Sequence, residues 1–171
     1  LDATVALALT SDTNGVSGLT NLGLTSQSFG VTGAAYDYAV SAVTNAPLAF
    51  GNVRKGATVA NQTLTFGNTT VTDANYQDAL LVATTANNGK LTATGATIAA
   101  GTTGDLTVAI STATAGSLAD TLAVSQTSKA AAANLLDKDL GTLNVAVTGA
   151  VYDYAVSAVT NAPLAFGNVR K

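Results

Sequence analysis

A near-perfect internal repeat constrains this chain more than any other feature. Residues 31–55 read VTGAAYDYAVSAVTNAPLAFGNVRK, and residues 147–171 repeat them with one difference, Ala35 against Val151. The two segments lie 116 residues apart. A unit of this length is the size of one sandwich domain and is longer than the roughly 20–50 residues of a solenoid repeat. We therefore expect a string of domains and not a solenoid.

A weaker match extends the repeat upstream. The sequence TVAL at 4–7 aligns with TLAV at 121–124, at an offset of 117 residues. After these strands, residues 13–23 face residues 130–140 with little resemblance. Divergent, length-variable sequence between matched strands is typical of a surface loop.

The repeat divides the chain into three parts. Residues 1–45 read as the C-terminal half of one repeat, residues 46–158 as a complete repeat, and residues 159–171 as the first strand of the next. The chain opens without an initiator Met. We expect it to be an internal or processed piece of a longer array, whose neighbouring copies are its partners, arranged head to tail, with self-association into fibres as an extension of the same contacts.

Alternating polar and apolar residues predict strands throughout. Residues 63–66, 105–111 and 143–148 alternate with period two, which is the pattern of a half-buried strand. The Asn88-Gly89 pair predicts a tight hairpin between the apolar runs at 80–82 and 91–93. The order of strands and turns predicts an all-β fold: tandem immunoglobulin-like antiparallel β-sandwich repeats of about 116 residues.

The alanine-rich segment 129–137 is the one candidate helix. Alanine favours helices, but the equivalent segment of the earlier copy, residues 12–18, contains Gly15 and Gly18. A helix would not form there, so we interpret 129–137 as a loop with at most one helical turn.

Several motifs resemble a known family. The runs PLAFGNV at 47–53 and NQTLTF at 61–66 resemble the opening of ASH/Hydin-type immunoglobulin-like domains, and IAAG at 98–101 with LTV at 106–108 resembles the closing half. The pairing is similar to bacterial "choice-of-anchor D" surface repeats. The resemblance implies a sandwich on a large secreted or cell-surface protein, and it carries no catalytic residues.

Charge and composition exclude several functions. The net charge is −3, and charged residues make up 10% of the chain. Nucleic-acid binding needs a basic face, so no nucleic-acid partner is expected. No run reaches the roughly 18–20 apolar residues that span a bilayer, so we expect no membrane insertion in this segment. With no His or Cys, zinc sites, histidine triads and thiol nucleophiles are excluded, and we predict no enzymatic activity and no cofactor.

Carboxylates offer two weaker alternatives. Asp73 and Asp78 flank Tyr76, but no aromatic-rich surroundings suit a glycosidase, and solvated loop carboxylates explain them better. Calcium is the metal that loop oxygens would suit. Its candidate ligands are Asp12, Asn14, Asp137 and Asp139.

A final group of residues marks the junctions between repeats. The YDY triplets hold four of the five tyrosines, and a proline opens each PLAFGNV run. We assign a structural role at domain boundaries to Tyr36, Tyr38, Pro47, Tyr152, Tyr154 and Pro163. The Arg-Lys pairs at 54–55 and 170–171 are predicted to be solvated and to pair with Asp37 or Asp153.

The sequence thus favours a structural protein. We expect an extracellular or cell-surface filament, stalk or giant surface protein in which each domain closes its own core. The alternative is an adhesin module that recognises a glycan or a protein through its sandwich-end loops.

Overall fold

The structure, a computed structural model, describes residues 1–85, 89–160, 163, 165 and 167–171. The described residues form an all-β fold without an α-helix; a single 3-10 turn spans Ala74–Tyr76. None of the described segments is a helix long and apolar enough to cross a membrane. The alanine-rich loop prediction is confirmed, because residues 130–137 form bends and turns between two strands.

Fourteen strands follow one another along the described chain. They are β1 (Asp2–Leu7), β2 (Thr10–Ser11), β3 (Leu22–Gly23), β4 (Gln27–Thr32), β5 (Ser41–Thr44), β6 (Leu48–Arg54), β7 (Gln62–Asn68), β8 (Ala79–Thr85), β9 (Leu91–Ala93), β10 (Ala96–Ile98), β11 (Thr103–Ile110), β12 (Gly116–Ser117), β13 (Asp120–Lys129) and β14 (Lys138–Tyr152).

Two larger sheets form the main body. One has the order β10-β8-β13-β14-β12, with β6 also paired to β14, and the other has the order β5-β7-β11-β9. Side chains from both sheets join one hydrophobic core, so the body is sandwich-like. The nine strands from β6 to β14 all fall within residues 46–158.

Period-two alternation explains which side chains enter this core. Leu64 and Phe66 on β7 are fully buried, as are Leu106 and Val108 on β11, with the intervening residues less buried. Burying a side chain of this size stabilises the fold by about 1.5–3 kcal/mol. The strand predictions at 63–66, 105–111 and 143–148 are confirmed.

The pairing of β6 with β14 corrects the expectation of a purely antiparallel sandwich. These two strands run parallel, from Leu48 opposite Val147 to Arg54 opposite Tyr152. They open and close the copy, so no tight turn joins them and nothing forces them to be antiparallel. The register shifts between Thr148 and Gly149, where Gly51 on β6 adopts a positive φ of 68°.

The hairpin predicted around Asn88-Gly89 is wrong. Asn88 itself lies outside the described residues, but the strands on either side are in different sheets. β8 pairs with β10 and β13, whereas β9 pairs with β11. The segment between β8 and β9 therefore joins the two sheets, and Gly89, with φ 71°, supplies a turn without a hairpin.

Residues 1–33 form a separate two-stranded hairpin. β1 and β4 pair antiparallel with each other, and the small β2–β3 pair extends the loop between them. All side chains of β1 and β4 are exposed. The packing unit of the sandwich begins after this hairpin, because β5 pairs with β7 and Ala39 is buried in the core. The repeat boundary at 45 and 46 thus falls inside the stretch that packs on the sandwich.

Candidate interdomain junction

The segment 36–40 connects the hairpin to the sandwich and is docked along its base. The Asp37 amide donates to the Tyr76 carbonyl at 2.8 Å, and the Asp78 amide donates to the Asp37 carbonyl at 2.9 Å. Three residues after Asp37, the Val40 carbonyl accepts from the Thr69 amide at 2.9 Å. The linker backbone is therefore hydrogen-bonded as regular structure is, although it forms only an isolated bridge.

Asn68, at the end of β7, is the centre of a buried polar network beneath the linker. Its side chain is 1% exposed. Its amide nitrogen donates to the carbonyls of Asp78 at 2.9 Å and Ile98 at 3.2 Å. Its Oδ1 accepts from the Val40 amide at 3.0 Å and from the Gln77 side chain at 3.2 Å. One asparagine thus connects the linker, both sheets and the 3-10 turn.

Gln77 adds a second set of bonds to the same linker. Its Nε2 donates to the Tyr38 carbonyl at 3.3 Å and the Thr69 carbonyl at 2.8 Å. Its Oε1 accepts from the Val71 amide at 3.1 Å. Because Gln77 is 4% exposed, these bonds are shielded from water and costly to lose.

Asp78 and Ser128 complete the network from the other sheet. The Ser128 hydroxyl donates to Asp78 Oδ2 at 2.8 Å and accepts from the Ala39 amide at 2.8 Å. Asp78 Oδ1 accepts from the Ala131 amide at 3.0 Å. Both carboxylate oxygens therefore have hydrogen-bond partners, as a buried polar group requires. We call the side chains of Asn68, Gln77, Asp78 and Ser128 the linker clamp.

Aromatic side chains border the linker clamp. The Tyr36 and Tyr76 rings meet edge to face, with centroids 5.6 Å apart. Tyr38 is half exposed, and the Lys138 ammonium lies 6.0 Å from its ring centroid. The two sequence-predicted tyrosines Tyr36 and Tyr38 therefore lie at the boundary of hairpin and sandwich.

Two clefts flank the linker. The first, of about 340 Å³, is lined by Leu1, Ala34, Ala35, Asp37, Thr72, Asp73 and Tyr76. The second, of about 420 Å³, is lined by Ala34, Ala35, Tyr36, Tyr38, Asp78, Asn134, Leu135 and Leu136. Each combines hairpin-side and sandwich-side residues, so both depend on how the linker is held.

The second YDY triplet lies at the end of β14, at the other end of the sandwich. The Lys55 ammonium pairs with Asp153 at 3.2 Å, so the predicted salt bridge is confirmed for Asp153. The Arg54 guanidinium donates to the Asp153 carbonyl at 3.1 Å and lies 5.3 Å from the Tyr154 ring centroid. Tyr152 pairs with Arg54 across β14 and β6.

The two prolines have different surroundings. Pro47 is exposed and directly precedes β6, as expected for a proline at a strand start. Pro163 is exposed, while its neighbours 161, 162, 164 and 166 lie outside the described residues. The other described residues of 159–171 are exposed and form no strand.

The calcium candidates form two separate small groups. Asp12 Oδ1 accepts from the Asn14 amide at 3.0 Å, which is a turn contact. Asp137 binds Lys129 at 2.7 Å, and Asp139, which lies within β14, accepts from the Gly141 amide at 2.8 Å. Among the residues that the structure describes, no group of three or more His, Cys, Asp or Glu side chains is placed to hold a metal ion.

Asp137 has a perturbed acidity. The hydrogen bond from Lys129, followed by that from the Ala130 amide, holds the pKa of this carboxyl below its ordinary value. The pair lies on the surface, so its contribution to stability is small.

The other acidic candidates have structural partners. Asp73 caps the 3-10 turn by accepting from the Asn75 amide at 2.9 Å, while Asp78 belongs to the linker clamp. Sequence reasoning identified the tyrosines but missed the clamp, because Asn68, Gln77 and Asp78 look like ordinary turn residues. One signal was present: Ser128 aligns with Ser11 of the earlier copy, although most of the following loop diverges. Comparisons with protein-family models and with curated proteins find no match for this chain.

Proposed function

We propose that this chain is a structural tandem-repeat segment of an extracellular filament, stalk or giant surface protein, built from immunoglobulin-like sandwiches. The linker clamp is the observation that carries the proposal. A flexible connection between independent domains would need no buried bonds to its backbone. Here the linker backbone is bonded to Asn68, Gln77 and Ser128 of the sandwich, which would hold the direction in which the hairpin leaves it.

The repeat supports the same function at the next junction. Residues 152–156 have the sequence YDYAV, which is identical to the clamped segment 36–40. A following copy with counterparts of Asn68, Gln77, Asp78 and Ser128 would hold this segment in the same way. Each domain would then close its own core and set the direction of the next one.

A non-enzymatic role agrees with the bonding of the polar residues. The buried carboxylate of Asp78 and the buried hydroxyl of Ser128 bind each other and the backbone. Their bonding capacity is used for docking the linker. The resemblance to bacterial surface repeats supports an extracellular location, which antibody labelling of intact cells would test against labelling of permeabilised cells.

Spin labelling tests whether the junction is rigid. The chain has no cysteine, so Thr4→Cys and Thr63→Cys place one label on the hairpin and one on the sandwich. Both positions are exposed. We expect a narrow distance distribution between the labels in electron paramagnetic resonance.

Ser128→Ala should broaden this distribution because it breaks the bond to the Ala39 amide. The matched control is Ser125→Ala on the same strand, whose exposed hydroxyl donates to the Ala83 carbonyl. A broad distribution in the unmodified pair, or equal effects of the two substitutions, would contradict the proposal.

The second candidate, an adhesin, rests on the loop that differs most between the copies. Val16 and Leu19 are 57% and 63% exposed in this loop. Exposed apolar residues in a divergent loop suit recognition of a partner. If adhesion resides there, replacing residues 13–23 with the sequence of 130–140 should abolish binding to a glycan panel that the unmodified chain binds. Unchanged binding would argue against this loop.

A further inference from the structure

The exposed hairpin reproduces the pairing of two core strands. Val5 on β1 lies opposite Phe29 on β4, as Leu122 on β13 lies opposite Val145 on β14. The repeat offsets of 117 and 116 residues relate these pairs to each other, and the same register continues from residue 3 to residue 7. The hairpin is therefore the counterpart of the β13–β14 hairpin of the complete copy.

A terminal hydrogen bond extends this equivalence. The Leu1 nitrogen donates to the Gly33 carbonyl at 2.7 Å. At the corresponding place, the Leu118 amide donates to the Gly149 carbonyl at 2.9 Å. Leu118 is 2% exposed, whereas Leu1 is 89% exposed.

The face of the hairpin that corresponds to the core face of β13 and β14 is exposed. Val5, Leu7, Phe29 and Val31 lie on one face and are 45–56% exposed. Their counterparts are at most 2% exposed: Leu122, Val124, Val145 and Val147. A face with the side chains of a core, in the register of a core, indicates a partner that is a second sheet.

Glycine spacing points to a partner at the edge as well. A Cβ on Gly149 would lie 2.9 Å from the Gly51 carbonyl oxygen and 3.3 Å from Leu118, because β6 approaches closely there. The equivalent Gly33 has nothing within 4 Å of a Cβ, yet the hairpin keeps a glycine at this position. The space that Gly33 leaves is the space that a strand like β6 fills beside Gly149.

The hydrogen-bonding edges of the hairpin agree with this. In the complete copy, β13 pairs with β8 and β14 pairs with β6. Within the described residues, β1 and β4 pair only with each other. The Gly33 backbone is bonded to Leu1 on one edge of β4, so the N–H and C=O groups of the neighbouring Thr32 point to the opposite edge. At that edge of β14, the counterpart Thr148 pairs with β6.

We propose that the β1–β4 hairpin is the closing hairpin of a further sandwich, and that its occupant is a polypeptide segment with the residue pattern of 41–117 from another copy of the repeat. The proposal rests on the tandem-repeat function above and adds the partner and its register. A strand like β6 adds in parallel to β4, a strand like β8 adds to β1, and a sheet like β5-β7-β11-β9 covers the apolar face. A second hairpin packed face to face would cover the face but leave both edges open.

The test extends the chain with this partner. A second copy of residues 41–117 is placed directly before Leu1, whose counterpart is Leu118. The control extension has the same length but carries Leu64→Ser, Phe66→Ser and Leu106→Ser in the added copy, which removes the core that would cover the hairpin. Hydrogen exchange of the amides in 27–32 is measured in the original chain and in both extended chains.

We expect protection of these amides to rise at least about 100-fold in the extended chain and to stay unchanged in the control. Gly33→Ala provides a second measurement. It should leave the melting temperature of the original chain within about 1 °C, but lower that of the added domain by about 4–8 °C. Gly149→Ala, the matched variant, should lower melting of the β6–β14 domain in both chains.

Three outcomes would overturn the proposal. The first is an unprotected hairpin in the extended chain, and the second is equal protection by the control extension. The third is protection in the original chain that rises with its concentration, which would make a second hairpin the occupant. This failure is distinguishable from failure of the tandem-repeat function. An unprotected hairpin with narrow spin-label distances contradicts only the partner, whereas a protected hairpin with broad distances contradicts the rigid junction.

Discussion

Ser128 is the residue of β13 through which one sheet of the sandwich holds the linker. Its hydroxyl is fully buried and bonds at once to the Asp78 carboxylate and the Ala39 amide. A buried donor or acceptor that loses its partner retains the cost of leaving water. A substitution of this one residue therefore removes two buried hydrogen bonds of the linker clamp.

We predict that Ser128→Ala lowers the free energy of unfolding by about 1–3 kcal/mol, because it leaves one carboxylate oxygen and one amide unpaired. Ser125→Ala, on the same strand but exposed, should change it by no more than about 0.5 kcal/mol. Urea denaturation of both variants measures the difference. Equal values would mean that the clamp bonds do not stabilise the fold.

Asp137 gives a prediction about pH. Its folded-state pKa is lowered, so its stabilising contact is present above the unfolded pKa and is lost as the pH falls through the folded value. Lys129→Met should raise the pKa of Asp137 toward its ordinary value, because it removes the largest cause. A carbon-detected NMR titration of Asp137 measures this change, and an unchanged pKa would contradict the ion pair.

At the scale of elements, β4 and β14 show that the same strand pattern has different consequences in different surroundings. Val31 and Val147 occupy equivalent repeat positions, but Val31 is 52% exposed and Val147 is fully buried. The local sequence predicts a strand in both cases. Its partners decide how much stability that strand contributes.

We expect Val147→Ala to lower the free energy of unfolding by about 2–3 kcal/mol through lost burial and a cavity. Val31→Ala, the same change at the equivalent position, should cost no more than about 0.5 kcal/mol in this chain. Thermal or urea unfolding compares the two variants. A similar loss from Val31→Ala would show that the hairpin face is already covered in solution.

The elements also show how far sequence reasoning reaches. Alternation in β7, β11 and β14 predicted which side chains are buried, because a strand exposes alternate residues to its two faces. The Asn88-Gly89 pair did not predict the connection between β8 and β9 correctly, since turn residues report a local change of direction and carry no information on which sheet follows. The parallel pairing of β6 with β14 was not predicted for a related reason, since it joins residues about 100 positions apart.

Some of the contacts around the linker and at the end of β14 were anticipated at the same scale. The repeated YDY triplets placed Tyr36 and Tyr38 at a boundary, and the basic pair at 54–55 predicted the contact with Asp153. The polar network beneath them could not be predicted, because Asn68 and Ser128 come together only when both sheets have formed. Tertiary packing, and not a local motif, makes these residues a unit.

At the scale of the whole molecule, the sandwich follows the exposed β1–β4 hairpin, and the sequence of its linker and of β6 recurs after β14. The linker clamp binds the linker between this hairpin and the sandwich. The identical YDYAV segment at 152–156 would offer the same connection to a following copy. Domains joined in this way form a rod whose length grows in proportion to the number of copies, whereas flexible linkers would give a coil whose size grows more slowly.

Small-angle X-ray scattering from chains with one, two and three added repeats tests this central claim most directly. Strands of 7–10 residues, with a rise of about 3.3 Å per residue and a short junction added, correspond to roughly 35–50 Å per repeat. We predict that the maximum dimension increases by this constant amount with every added copy, and that Ser128→Ala in every copy reduces the increase. Increments that shrink with each copy in the unmodified arrays, or that are unaffected by Ser128→Ala, would contradict a rod held by the linker clamp.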